Sequence, residues 1–369
     1  MKKQASTRAA WARYARIATA SAAFAFIAAC GGGGDDNNNS TPAGGVKLQI
    51  VSFGDSLSDV GTYAPVAAAN FGGGRFTTNP GQVWVQNVAQ YYGDTLTPAM
   101  TGGFGVAPVT QSGMGYAQGG SRVTNPIGIG HNTTNAADYS GALTVPVVQQ
   151  VTNYLAAHGS FNSNQLVIIN GGANDILYNL QAAQAGAITP TAASAAIQQA
   201  AIDLAGVVGK VLQSGATHVL VSDVPDIGTT PQGMMSSATG KAQLSQASLG
   251  FNQVLAGALT QAGLMSKVIY LDIVAPLANI TANFGQYGFT VSNTGTACNL
   301  QAMAAAAAKF GEPNPQAFAT SLFCSPETLT VAGADQTYMY ADTVHPTTHL
   351  HALYAQTAEQ VVAKSGLGK

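Results

Sequence analysis

Four short apolar runs recur along the chain, each closed by a residue that breaks extended structure. Lys47 to Phe53 (KLQIVSF) runs into Gly54, and Gln165 to Ile169 (QLVII) runs into Asn170-Gly171-Gly172. His218 to Ser222 (HVLVS) precedes Asp223, and Lys267 to Ile273 (KVIYLDI) is the fourth. All are rich in β-branched residues and only four to seven residues long, the pattern of buried strands. Between them lie Ala-rich stretches near 144–158, 191–213 and 239–263, long enough for crossover helices. In the second of these, Ile197, Ala201, Leu204, Val208 and Val211 recur every three to four residues, which predicts one apolar helix face. Strands that alternate with helices predict a parallel sheet covered on both faces, hence a three-layer α/β/α domain. A single domain over 46–369 is large, so long functional loops are expected around 70–140 and 280–340.

The N-terminal stretch reads differently. Lys2, Lys3, Arg8, Arg13 and Arg16 are five of the fourteen basic residues, and no acid precedes Asp35. The apolar run Ile17 to Ala29 follows, too short for a bilayer core that needs roughly 20 helical residues. Residues 1–29 are therefore expected to be a signal peptide. The run ends Ile27-Ala28-Ala29-Cys30, which resembles the lipobox of bacterial lipoproteins. That resemblance implies lipidation of Cys30 and a membrane anchor; Gly31 after the cysteine implies the outer membrane. An ordinary secretory signal cut near Ala29, giving a periplasmic or secreted protein, is the alternative. Residues 30–45, with the run GGGGDDNNNSTPAGG, are expected to form a tether. Past residue 29, nine basic residues face sixteen acidic ones, which excludes nucleic acid as a partner because phosphate binding needs clustered Lys and Arg. With 46% apolar and only 8% charged residues the chain is not intrinsically disordered. In an exported chain Cys298 and Cys324 can pair, closing a loop worth roughly 3–4 kcal/mol.

In parallel α/β sheets ligands bind beyond the carboxyl ends of the strands, so the residues there carry the candidate chemistry. After the first run stands Gly54-Asp55-Ser56-Leu57-Ser58-Asp59, with Ser56 raised on a turn as a nucleophile would be. After the second comes Gly172-Ala173-Asn174-Asp175. Near the C-terminus is Asp342-Thr343-Val344-His345-Pro346, where the spacing lets the carboxylate reach one ring nitrogen and leaves the other free to take a proton from Ser56. Each piece alone also fits a turn or helix cap.

Together they resemble the SGNH hydrolases, also called GDSL lipases and esterases, from residue 48 to about 355. The four blocks stand in order: Phe53-Gly54-Asp55-Ser56-Leu57-Ser58-Asp59, Gly115-Tyr116-Ala117-Gln118-Gly119-Gly120, Gly172-Ala173-Asn174-Asp175 and Asp342-Thr343-Val344-His345-Pro346. The resemblance implies a flavodoxin-like α/β/α fold, Ser56 as nucleophile, His345 as base and Asp342 as its orienting acid. It places the oxyanion between the Ser56 and Gly120 N–H groups and the Asn174 amide, with Gly120 preferred to Gly119 by block alignment alone. Gly74 to Val85 resembles a further family segment, altered by an extra Thr and a displaced Pro. Trp84 within it reads as core, or else as a wall of an acyl pocket.

The expected function is cleavage of acyl esters, with an acyl ester or lipid as substrate and neither metal nor organic cofactor. Phospholipase A or glycerophospholipid acyltransferase activity is the first alternative, followed by sugar-ester deacetylation. A non-catalytic binding lipoprotein is the alternative of another class. His345, His349 and His351 lack the acidic companion of a zinc motif and read as surface histidines on a helix. Neither Gly72-Gly73-Gly74 nor Gly102-Gly103-Phe104-Gly105 has a nucleotide-cradle context, and no G-x-S-x-G surrounds Ser56. Asp223 and Asp226 could rim the site or serve as turn residues.

Overall fold

The structure, a computed structural model, describes residues 41–131, 139–309 and 315–369. The expected signal peptide and Cys30 lie outside the described residues. Of the expected tether only 41–45 is described. Gly44 donates to the Tyr91 carbonyl at 2.8 Å, and the Gly44 carbonyl accepts from Lys369 at 2.9 Å.

The main sheet has four parallel strands: β1 (Gln49–Phe53), β4 (Gln165–Ile169), β5 (His218–Ser222) and β6 (Ile269–Leu271), in the order β1-β4-β5-β6. β2 (Met100–Gly103) and β3 (Val106–Thr110) form a separate antiparallel hairpin. On the free edge of β1, Ser52 N–H donates to Met114 O and Tyr116 N–H to Ser52 O, so residues 114–116 run beside it as an irregular strand. Counting that strand, the order becomes 2-1-3-4-5, the flavodoxin-like arrangement, whose switch point lies between β1 and β4.

Alternation along each strand divides the core in two. Val51, Phe53, Val167, Ile169, Val219 and Val221 face one cluster, while Ile50, Leu166, Ile168, Leu220 and Leu271 face the other. Eleven helices are described: α1 (Ala64–Phe71), α2 (Trp84–Tyr91), α3 (Val147–His158), α4 (Ala173–Gln184), α5 (Pro190–Gln213), α6 (Pro231–Met235), α7 (Ala238–Gln261), α8 (Val274–Ala282), α9 (Leu300–Lys309), α10 (Ala334–Thr337) and α11 (Thr348–Lys364). α3, α5 and α7 cover the first face; α2 and α11 cover the second. α5 is long and apolar enough to cross a bilayer, yet Ile197, Ala201, Leu204 and Val208 are all buried in the first core.

The structure corrects some expectations and bears out others. The run 267–273 yields a strand of only three residues, because Met265–Lys267 forms a 3₁₀ turn. The two long insertions are not plain loops: 70–140 holds α2 and the hairpin, and 280–340 holds α9 and α10 with short 3₁₀ turns. Trp84 is core, stacked on Tyr354 at 4.7 Å with its indole N–H donating to Ser58 Oγ at 3.1 Å. His351 is not a surface residue. Its Nδ1 accepts from Trp84 N–H at 3.2 Å inside the second core, and burial pushes its pKa down to about 3. Cys298 and Cys324 form a disulfide.

Candidate active site

Ser56 begins a 3₁₀ turn immediately past β1, where no ladder bond constrains the chain. Asp55 caps that turn by accepting Leu57 N–H at 3.1 Å. Gln150 of α3 grips the peptide just ahead of it: Gly54 N–H donates to Gln150 Oε1 and Gln150 Nε2 donates to Gly54 O, both at 2.8 Å. Asn170, at the end of β4, completes the platform by accepting from Ser58 Oγ at 2.6 Å and donating to Asp55 Oδ1 at 2.8 Å.

His345 comes from the other end of the chain. Its Nε2 lies 2.8 Å from Ser56 Oγ and its Nδ1 2.7 Å from Asp342 Oδ2. A carboxylate can only accept, so Nδ1 carries the proton and Nε2 accepts from the serine hydroxyl. Burial by itself would raise the Asp342 carboxyl. The facing His345 and the bonds from its ring and from the His345 and Val344 N–H groups outweigh burial and hold Asp342 well below the usual carboxylate range. A fourth bond comes from Ser321 N–H at 2.6 Å. Asn79 in turn donates to the Ser321 carbonyl at 3.0 Å, and the Phe76 ring packs 5.0 Å from that of His345. The altered segment 74–85 thus braces the histidine and its acid.

The N–H groups of Ser56 and Gly120 have no acceptor among the described residues. Gly119 N–H, by contrast, is taken by Asp59 Oδ2 at 2.8 Å. Gly120 has φ +81°, and a Cβ there would stand 2.1 Å from Ile129 O. Asn174 spends one amide proton on Ser121 O at 2.9 Å, which leaves the other uncommitted. Asn174 can enter α4 so close to the sheet because Gly172 precedes it: a Cβ at Gly172 would sit 2.1 Å from the Phe251 ring. Asp175 links the two blocks again, pairing with Arg122 at 3.0 Å and accepting from Val123 N–H at 2.9 Å.

Ser56, Asn174 and His345 line one cavity of about 980 Å³ whose further wall is largely apolar: Leu177 and Leu180 of α4, Ile227 of the 3₁₀ turn Ile227–Thr229, and Leu244 of α7. Asp223 does not line it; that carboxyl accepts Ile273 N–H at 2.9 Å, and burial pushes its pKa up to about 7. Asp226 caps the turn at Ile227–Thr229. The three clustered histidines have separate partners: Ser56 and Asp342 for His345, Gln336 O for His349, Trp84 N–H for His351. Sequence reasoning missed Gln150, Asn170, Asn79, Phe76 and Ser321. Only the Asn79 segment carried a signal, as part of the altered family stretch.

A strand-end serine, a glycine-rich turn and an Asp-x-x-His loop gathered at the switch point of a flavodoxin-like sheet define an SGNH-type hydrolase scaffold. Residues 50–357 match the family described as GDSL-like Lipase/Acylhydrolase, and the chain belongs to it. Among curated proteins it is similar to Esterase EstA of Pseudomonas aeruginosa and of Pseudomonas putida, each 27% identical over 258 residues. Those alignments cover 65% of this chain and 37% of each esterase, so this chain matches a little over a third of their length. An uncharacterized protein of the trpE-trpG intergenic region of Pseudomonas putida is 29% identical over 257 residues, 65% of this chain and 38% of that protein.

Proposed function

We propose that the chain is a serine carboxylic ester hydrolase acting on aliphatic acyl esters. The observation that carries this reading is the linear relay from Ser56 Oγ through His345 to Asp342, at 2.8 and 2.7 Å, opening into an apolar cavity. Ser56 Oγ adds to the ester carbonyl while its proton passes to His345 Nε2. The tetrahedral oxyanion is met by the N–H groups of Ser56 and Gly120 and by the Asn174 amide. His345 then gives the proton to the departing alcohol, leaving an acyl-enzyme. Water, deprotonated by His345, attacks that ester; the acid leaves and Ser56 recovers its proton. The imidazolium formed on the way is balanced by the Asp342 carboxylate.

The apolar walls of Leu177, Leu180 and Leu244 favour a chain longer than acetyl, which supports a lipase or phospholipase A over a sugar deacetylase. The test is hydrolysis of p-nitrophenyl esters from acetyl to palmitoyl by the protein and its Ser56→Ala variant. Turnover should peak above acetyl and fall about 10⁴-fold or more in the variant. Full activity without Ser56 would overturn the reading. Added glycerol or lysophospholipid would reveal acyl transfer as an esterified acceptor. The run Ile17 to Ala29 before Cys30 also supports an exported, outer-membrane lipoprotein form. Metabolic labelling with an alkynyl fatty acid should tag the protein, and Cys30→Ala should abolish the tag.

A further inference from the structure

The Gly120 N–H can stabilise an oxyanion only if its peptide is held at a fixed angle, and Gly120 has no side chain to hold it. A trans peptide carries its C=O and N–H on opposite edges, so whatever anchors the Gly119 carbonyl aims the Gly120 N–H. That carbonyl accepts from the Tyr63 hydroxyl at 2.8 Å. The preceding peptide is anchored as well. Gly119 N–H donates to Asp59 Oδ2 at 2.8 Å, while Asp59 Oδ1 accepts from Gly61 and Thr62 N–H at 2.9 and 2.7 Å.

Asp59 and Tyr63 are buried, and both lie within seven residues of Ser56. The Tyr63 ring is fixed edge-on against Phe76 and Phe104, with centroids 6.2 and 5.3 Å away. The segment that presents the nucleophile therefore also reaches across to two consecutive peptides of the glycine block.

We infer that Tyr63 and Asp59 are positioning residues for the oxyanion: they clamp the Gly119–Gly120 peptide so that the Gly120 N–H faces the tetrahedral intermediate. The inference rests on the ester-hydrolase reading above. Neither residue touches substrate, and neither moves a proton. Their effect is on how much of the Gly120 donor is available when charge develops on the carbonyl oxygen.

Tyr63→Phe removes one oxygen and keeps the ring packing, so the fold should survive it. Asp59→Asn keeps an acceptor for Gly61 and Thr62 but can turn a donor toward Gly119 N–H. The readout is the ratio of turnover on an ester and on its thionoester, in which sulfur replaces the carbonyl oxygen. N–H donors bond an oxyanion much better than the corresponding thiolate-like sulfur, so this ratio reports the donors and not general loosening. Tyr63→Phe should lower kcat on the oxygen ester about tenfold with KM within about twofold, and shrink the ratio by a similar factor. Asp59→Asn should do the same or more; if it fails to fold, Tyr63→Phe decides the matter alone. A Tyr63→Phe protein with wild-type ratio, whatever its melting temperature, overturns the inference while leaving the ester-hydrolase reading intact. Absence of any Ser56-dependent turnover in the wild type would instead remove that reading, and this inference with it.

Discussion

Asp55 and Asp342 flank the same serine and are equally buried, 1% and 2% exposed, yet their carboxyls move in opposite directions. Burial pushes Asp55 up. Its Oδ1 accepts from Leu57 N–H and Asn170, but its Oδ2 has no partner among the described residues. Asp59, with three N–H donors, is also raised by burial. Of the three, only Asp342 is hydrogen-bonded to the His345 imidazole, and only Asp342 is lowered. That ring can become positive, and its attraction adds to the three backbone N–H donors of Asp342. The Ser56 side of the site is thus a geometric frame, and the Asp-His side carries the lowered carboxyl.

If that division holds, substitutions on the two sides should differ in kind as well as size. The largest effect after loss of Ser56 is expected from Asp342→Asn, which removes the acceptor for Nδ1–H and favours the wrong tautomer. Turnover should fall about 10⁴-fold. Steady-state kinetics alongside circular dichroism would check it, and a loss no larger than that of Asp59→Asn would erase the contrast.

The disulfide sharpens the same point. Cys298 N–H bonds to Ala341 O, next to Asp342, and Cys324 stands three residues from Ser321, whose N–H donates to Asp342. Replacing both cysteines by serine should remove roughly 3–4 kcal/mol of stability. It should also lower kcat several-fold below the melting transition, because the support of Asp342 loosens. Denaturant unfolding and kinetics on the same samples would separate the two losses; unchanged kcat would mean that the bridge acts on stability alone.

The last expected effect is a pH slope, which bears on stability and leaves turnover at neutral pH untouched. His351 is held neutral, with a folded pKa near 3 against an ordinary 6.5. A base depressed in this way contributes stability that is complete above about 6.5 and drains away as pH falls toward 3. His351→Gln, which cannot titrate, should flatten that part of the urea-midpoint profile between pH 7 and 4. An equal slope in both proteins would assign the acid loss to other groups.

Much of the frame was legible beforehand, for identifiable reasons. Val51, Val167 and Val219 sit in short β-branched runs, and the length of such a run limits what else it can be. Ser56, Asn174, Asp342 and His345 fall at strand ends or in short signatures, where local spacing carries the chemistry. Gln150, Asn170 and Ser321 were silent because an isolated Gln, Asn or Ser looks the same in sequence whether it grips a distant peptide or faces water. His351 was misread because it was grouped with His345 and His349 by sequence spacing, whereas its neighbours in space are Trp84 and Phe76.

The sequence by itself determined the alternation of strands and helices, the order of the four signature blocks and the residue types able to act as nucleophile, base and acid. Only the tertiary structure decided which of the two glycine N–H groups is left without an acceptor, which of the carboxyls of Asp55, Asp59 and Asp342 is lowered, and that the segment after Ser56 holds the glycine block. The reason is physical. Element type follows from periodicity among near neighbours, whereas a hydrogen-bond direction or a pKa depends on atoms that folding alone brings within 3 Å, here from positions up to 289 residues apart.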